Sequence, residues 1–272
     1  PRDHDRARHH ALGPSAGDWL AGLGIVDSNG AVLPRFADKH RQVQRYGDIL
    51  RDLLRETPLP DDRPLVMADM GCGRGYLTFA AWQLLRRDLG RDAQVLGVEA
   101  RPELAQNAGR LAEQLQLGGL RFVPGRISDI DLPRLDILVA LHACDTATDD
   151  AILRGVHGGA SLLLVAPCCQ QEILPQLQPA EPLDLLQRHG LLAGRLADLL
   201  TDALRALILE AAGFEVRLLE FVAGEHTPKN LLIAAIRRRA PDPSPPRIER
   251  IAALKAFFGI RHHALDPLLP PC

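Results

Sequence analysis

Polar residues able to do chemistry gather at the ends of apolar runs in this chain. Val66-Met67-Ala68 ends in Asp69, Gln94 to Val98 ends in Glu99, and Leu120 onwards reaches Asp129. Leu135 to Leu141 runs into His142-Ala143-Cys144-Asp145, and Ala160 to Ala166 runs into Pro167-Cys168-Cys169-Gln170. Between the final two apolar runs of the sequence, Phe214 to Val222 and Leu231 to Arg237, lies Gly224-Glu225-His226-Thr227-Pro228-Lys229-Asn230. Chance placement would scatter such residues. In open α/β sheets a ligand sits outside the carboxyl ends of the strands, so the clustering marks a candidate site. A carboxylate in the place of Glu99 can accept both hydroxyls of a ribose. Asp129, preceded by Ser128, can accept from the amino group of a nucleobase.

Asp69 leads into Met70-Gly71-Cys72-Gly73-Arg74-Gly75-Tyr76, and a helical pattern from Leu77 to Leu85 follows at once. A strand, a glycine-rich turn and a helix start bring a nucleotide-like ligand against bare backbone. A dinucleotide fingerprint, G-x-G-x-x-G, needs its third glycine at position 76, which is Tyr76. The spacing here is instead G-x-G-x-G, carried by Gly71, Gly73 and Gly75.

These residues need a frame to hold them. Apolar strands alternating with helical segments predict a doubly wound, mostly parallel α/β sheet covered on both faces. The last two strands, Phe214 to Val222 and Leu231 to Arg237, are joined by about eight residues, too short for a parallel crossover. They should pair antiparallel, which makes a seven-stranded sheet. Arg35 to Glu56 reads as an amphipathic helix: Phe36, Val43, Tyr46, Ile49, Leu50, Leu53 and Leu54 lie opposite Lys39, Arg41, Gln42, Arg45 and Arg51. Its polar face is either a solvated surface or a cover for the turn that offers Lys39 and Arg45 to an anion. The expected division is an N-terminal lid or remnant over 1–34, a main domain over 35–239, and a Pro-rich linker with a C-terminal helix over 240–272. That last helix is expected to pack on the domain so that Phe257 and Phe258 are buried.

Composition narrows the field. The chain has 272 residues, 46% hydrophobic and 24% charged, with net charge −2. That balance gives no global electrostatic case for nucleic acid, so any such contact must be a local patch. No apolar run is long enough for a membrane span, and Pro1 to Arg6 lacks the apolar centre of a signal peptide. The missing initiator Met fits a fragment or a processed product. Five cysteines, two of them adjacent, form no disulfide framework; reduced thiols and a cytoplasmic setting are expected.

The Asp69 and G-x-G-x-G turn, with acids at Glu99 and Asp129 and a closing antiparallel pair, resembles the class I S-adenosylmethionine-dependent methyltransferases. The blocks Leu141 to Asp149, Ala166 to Gln171 and Glu225 to Asn230 resemble a small bacterial group within them. That group is related to the family containing eukaryotic tRNA 2′-O-methyltransferases. The likeness runs from about Lys39 to Arg237. It implies S-adenosyl-L-methionine held by Asp69, Gly71, Cys72, Gly73, Gly75, Glu99, Asp129, Leu141 and His142. It points, more weakly, to an RNA substrate, which the local basic residues Lys39, Arg41, Arg45, Arg237, Arg238 and Arg239 would meet. Zinc-binding and histidine elements of the tRNA enzymes are absent here. The alternative is a small-molecule or protein methyltransferase or a non-catalytic cofactor-binding module.

Methyl transfer from a sulfonium is an in-line displacement that needs a positioned acceptor and a base. His142 and Asp145 are the candidate bases. Each has a plainer reading, His142 as a hydrogen-bonding residue and Asp145 as a helix cap. Cys168 and Cys169 admit three readings: a nucleophile toward pyrimidine C6, part of a metal site with His142, Cys144 and His226, or thiols lining the acceptor. RNA cytosine-C5 methyltransferases carry a Pro-Cys pair where this chain has His142-Ala143-Cys144. The spacing lacks C-x-x-C pairs, and adjacent residues of an extended chain point opposite ways, so no metal is expected. Lys39, His226, Lys229 and Asn230 are the expected substrate contacts.

Overall fold

The runs of branched apolar residues are buried on both sides. In β4 (Ile137–Leu141) and β5 (Leu162–Ala166) every residue is buried. In the computed structural model, which describes residues 12, 17–127, 129–130, 134–141, 146–167, 171–178, 181–220, 230–238, 240 and 244–270, seven strands make one sheet in the order β3-β2-β1-β4-β5-β7-β6. The other strands are β1 (Leu65–Met70), β2 (Ala93–Glu99), β3 (Leu120–Pro124), β6 (Phe214–Glu220) and β7 (Leu231–Arg237). β3, β2, β1, β4 and β5 are mutually parallel, and β7 runs antiparallel to both β5 and β6. The expected fold is therefore present, down to the closing pair.

Alternation along each central strand divides the core in two. Ile137, Val139 and Leu141 face one layer, and Leu138 and Ala140 face the other. The first layer is covered by α1 (Gly17–Gly22), α2 (Ala37–Glu56), α3 (Tyr76–Trp82) and α4 (Pro102–Gln114). The second is covered by α5 (Thr146–His157), α6 (Gly190–Ala211) and α7 (Pro245–Phe257).

Several boundaries differ from the sequence reading. β3 stops at Pro124, and the last bond to β2 runs from the Gly125 amide to the Glu99 carbonyl, so Asp129 does not end a strand. The helical pattern that the sequence shows from Leu196 to Ala212 begins earlier in the structure, as α6 at Gly190. Gln42 is not on the solvated face of α2 but buried. Phe257 is half exposed, with its edge against Phe258 instead of in the core. Among the described residues no helix is long and apolar enough to cross a membrane.

Candidate active site

Sheet order reverses between β1 and β4, which places the ligand crevice at their carboxyl ends. β1 delivers Asp69 there. Its carboxylate is buried, and the Thr78 hydroxyl on α3 donates to Oδ2 at 2.6 Å, bridging strand and helix across the glycine turn. Burial raises the Asp69 carboxyl to about 6; the Thr78 hydrogen bond opposes the rise and the charge of Glu99 adds to it.

The turn itself needs glycine most at Gly75. Its φ is +81°, and a Cβ there would meet Phe122 Cε1 at 2.8 Å. The turn's amides are engaged inside the protein. Gly71 and Cys72 donate to the Val98 carbonyl at 2.8 and 3.0 Å, and Gly75 donates to the Cys72 carbonyl at 2.9 Å. Gly73 donates to Glu99 Oε2 at 2.8 Å. A pyrophosphate-binding turn aims such amides outward. This one offers room instead: a Cβ on Gly71 would meet nothing within 4 Å. A Cβ on Gly73 would meet only Arg101 Nη2 at 3.9 Å and Glu99 Oε2 at 4.0 Å. Cys72 stays a neutral thiol, pushed up by burial and by the charges of Asp69 and Glu99.

Both oxygens of Glu99 are engaged. Besides Gly73, they accept from the Arg101 amide at 3.0 Å, Nε at 2.7 Å and Nη2 at 3.3 Å. The Arg101 hydrogen bond holds the Glu99 carboxyl below the ordinary carboxylate range, against the opposing effect of burial. A ribose diol that bonds Glu99 must displace the Arg101 guanidinium, whose side chain is 66% exposed. The arginine side of the pair is solvated, so giving it up costs the free protein little. Arg101→Ala should therefore tighten binding of an adenosyl ligand, as read by titration calorimetry. Weakened binding would mean that Arg101 grips the ligand instead.

α2 covers the turn from above. Lys39 lies 5.5 Å from the centroid of Tyr76 and donates to Gln42 Oε1 at 2.5 Å. Burial lowers its ammonium, and no carboxylate among the described residues pairs with it. Tyr46, about two helical turns further on, is fully buried, and its hydroxyl has no hydrogen-bond partner among the described residues. Burial raises its phenol well above the usual value, and the nearby charge of Asp69 adds to this. Arg45 points to solvent.

The remaining candidates divide. Leu141 ends β4 in register with Ala166 of β5. Asn230 is exposed just before β7, whose antiparallel direction puts it at the same edge of the sheet. Asp129 sits in an exposed turn, its amide donating to the Arg126 carbonyl. His142, Asp145, Cys168, Cys169, His226 and Lys229 lie outside the described residues. So do Ser128, Cys144 and Arg239. Sequence reasoning missed Thr78, Tyr46 and Arg101. Only Arg101 carried a signal, a cation two residues beyond a strand-ending acid. Two arginines proposed for an acceptor patch prove structural. Arg237 donates to the carbonyls of Ala160 and Val156 and stacks on Phe214, while Arg238 pairs with Glu215. Both lie at the far end of the sheet, because β7 runs against its neighbours.

Over residues 38–176, more than half of its length, the chain matches the family described as a methyltransferase domain. It belongs to that family. A search of curated proteins gives no match. Among solved structures it is similar to an rRNA methylase from Streptococcus thermophilus, at 12% identity and TM-score 0.45, covering 70% of this chain and 95% of that one. It is also similar to an S-adenosylmethionine-dependent methyltransferase from Aquifex aeolicus, at 14% identity and TM-score 0.41, covering 71% and 89%. A geranyl diphosphate methyltransferase stands at 14% identity and TM-score 0.45, covering 72% and 79%. Likeness at this level does not bear on the acceptor.

The methyltransferase uses S-adenosylmethionine, and its residues fit that group. The turn leaves room over Gly71 and Gly73, keeps no outward nest for a pyrophosphate, and ends beside an ionised Glu99. Once bound, the cofactor supplies an electrophilic methyl group on a cationic sulfur. The chain's own part is to hold the adenosyl and methionyl ends, keep the acceptor in line, and take its proton.

Proposed function

We propose that this methyltransferase acts on RNA, a tRNA or an rRNA, in the cytoplasm. One observation carries the reading beyond the resemblance: the cations at the carboxyl edge of the sheet. Arg74 in the glycine turn and Arg126 beyond β3 are exposed there, and Lys39 sits over Tyr76 without a carboxylate partner among the described residues. With a net charge of −2, such a local patch is what a polyanion would have to use. In this reading Asp69, Gly71, Cys72, Gly73, Gly75, Glu99, Asp129, Leu141 and His142 hold the cofactor. Lys39, His226, Lys229 and Asn230 hold the acceptor. His142 or Asp145 takes the acceptor's proton, and Cys168 and Cys169 line the acceptor pocket.

Transfer of a tritiated methyl group into fractionated extract from cells lacking the enzyme identifies the acceptor. The label should enter the RNA fraction. RNA affinity should fall steeply with salt, with a log–log slope of about −0.7 per neutralised phosphate of a single strand. Lys39→Met and Arg74→Ala should each lower that slope by somewhat under one. Label in the protein or metabolite fraction, with no salt dependence, would replace RNA by one of those classes.

A further inference from the structure

Residues 171–178 beyond β5 are braced by a distant segment, residues 258–266, and the helix after β4 is braced by an arginine of α6 that lies beside the same segment. Gln176, ten residues past the end of β5, is the centre of the first brace. Its Nε2 donates to the carbonyls of Glu172 and His262 at 2.9 and 3.0 Å. Its Oε1 accepts from the amides of Arg261 and His262, both at 3.0 Å. The amide thus uses both donors and both lone pairs, and it does so between two backbones far apart in sequence. Around it, Glu172 meets His262 Nδ1 at 2.7 Å and accepts from the Ala264 amide at 3.2 Å. The Gln178 amide donates to the Phe258 carbonyl at 2.8 Å.

The second brace is ionic and dry. Arg205 of α6 is fully buried and donates to both oxygens of Asp149, at 2.8 and 2.6 Å, with Asp202 at 3.1 Å. Asp149 belongs to the first turn of α5. His263 of the tail is wholly buried; its Nδ1 accepts from the Leu265 amide at 3.0 Å, and its Nε2 has no partner among the described residues. Burial pushes its imidazole down to about 4, and the charges of Asp149 and Arg205 act on it in opposite directions. Gly259 lets the tail approach: its φ is +72°, and a Cβ would meet Gln178 Cβ at 2.8 Å.

β4 and β5 end side by side, with Leu141 opposite Ala166, at the edge where the acceptor must reach the methyl group. The described chain resumes at Gln171 beyond β5 and at Thr146 beyond β4, and both stretches are braced. The hydrogen bonds that fix the cofactor turn, from Thr78 to Asp69 and from Gly73 to Glu99, involve none of these residues. We propose that the C-terminal segment is a positioning element of the acceptor side: with Gln176 as its clasp, it sets the chain leaving β5 against the first turn of α5, and so serves methyl transfer without serving cofactor binding. The proposal rests on the acceptor lying at the β4 and β5 ends, as read above.

The test is Gln176→Ala in the full chain, with Arg205→Lys as a second variant that keeps the buried charge but loses the two-pronged contact. Hydrogen exchange should quicken at least tenfold in 146–152 and 171–178 and stay unchanged in 66–80. The dissociation constant for S-adenosylmethionine should stay within twofold of the native value. Transfer of tritiated methyl to the extract fraction labelled by the native enzyme should drop at least tenfold. Native transfer rates in both variants overturn the proposal, as does a cofactor affinity that falls in step with transfer. Exchange that quickens only within 258–266 overturns the clasp without reference to any acceptor. If the native enzyme labels nothing in the extract, the acceptor reading fails instead, and the exchange result still decides the clasp.

Discussion

Glu99→Ala should weaken S-adenosylmethionine binding at least a hundredfold, to the edge of detection in titration calorimetry. The carboxylate is ionised, 5% exposed, and stands at a strand end where two ribose hydroxyls can share it. Hydrogen bonds to a charged acceptor are worth about 1.5–3 kcal/mol each. A pair of them gives about 3–6 kcal/mol, or roughly two to four decades of affinity. Alanine has a second effect, because Gly73 loses the acceptor of its amide and the turn loses one of its internal ties. Glu99→Gln separates the two contributions. It keeps the shape and an oxygen for one donor, so its loss should be nearer tenfold. Retained affinity in the alanine variant, with an unchanged melting temperature, would remove Glu99 from the site.

Affinity for S-adenosylmethionine should also fall about tenfold between pH 7 and pH 5, and Asp69→Asn should flatten that profile. The Asp69 carboxyl titrates near 6 in the free protein, raised by burial. Its folded value lies above that of an unfolded chain, so its ionisation disfavours the empty fold as pH rises through 6. A cationic ligand reverses this by favouring the ionised form. The bound value then drops below 6, and binding below that pH must release a proton. Each unit below 6 weakens affinity by about a decade until the bound value is reached. The amino group of the cofactor stays protonated throughout, so the dependence belongs to the protein. A profile in Asp69→Asn that still falls below pH 6 would assign the titration elsewhere.

The sheet was legible because its signal is local. Continuous apolar runs, a strand-ending acid and a glycine turn each lie within a few residues, and the short link between the last strands forced their antiparallel pairing. Site features that depend on topology were not legible. Arg237 and Arg238 look like the rest of a basic patch until the direction of β7 carries them to the far end of the sheet. Pro124 was visible in the sequence, but Ile127 beyond it kept the apolar pattern alive and hid the true end of β3. Gln42 sits on the polar face of a helix whose two faces are clear, yet it is buried. α2 lies against the glycine turn as well as the core, and a single-stripe pattern cannot express two neighbours. Gln176 and His262, 86 residues apart in sequence, meet through a tail whose docking no periodicity announces.

The glycine turn ties its own amides to Val98, Glu99 and Cys72 before any ligand arrives. A turn built this way recognises a shape, and the shape it fits is the adenosyl portion. Loss of the methyl group leaves that portion unaltered. S-adenosylhomocysteine should therefore dwell in the crevice nearly as well as the methyl donor does. The rate of the enzyme in a cell would then follow the ratio of donor to spent donor, with product inhibition as a direct consequence of a preformed turn.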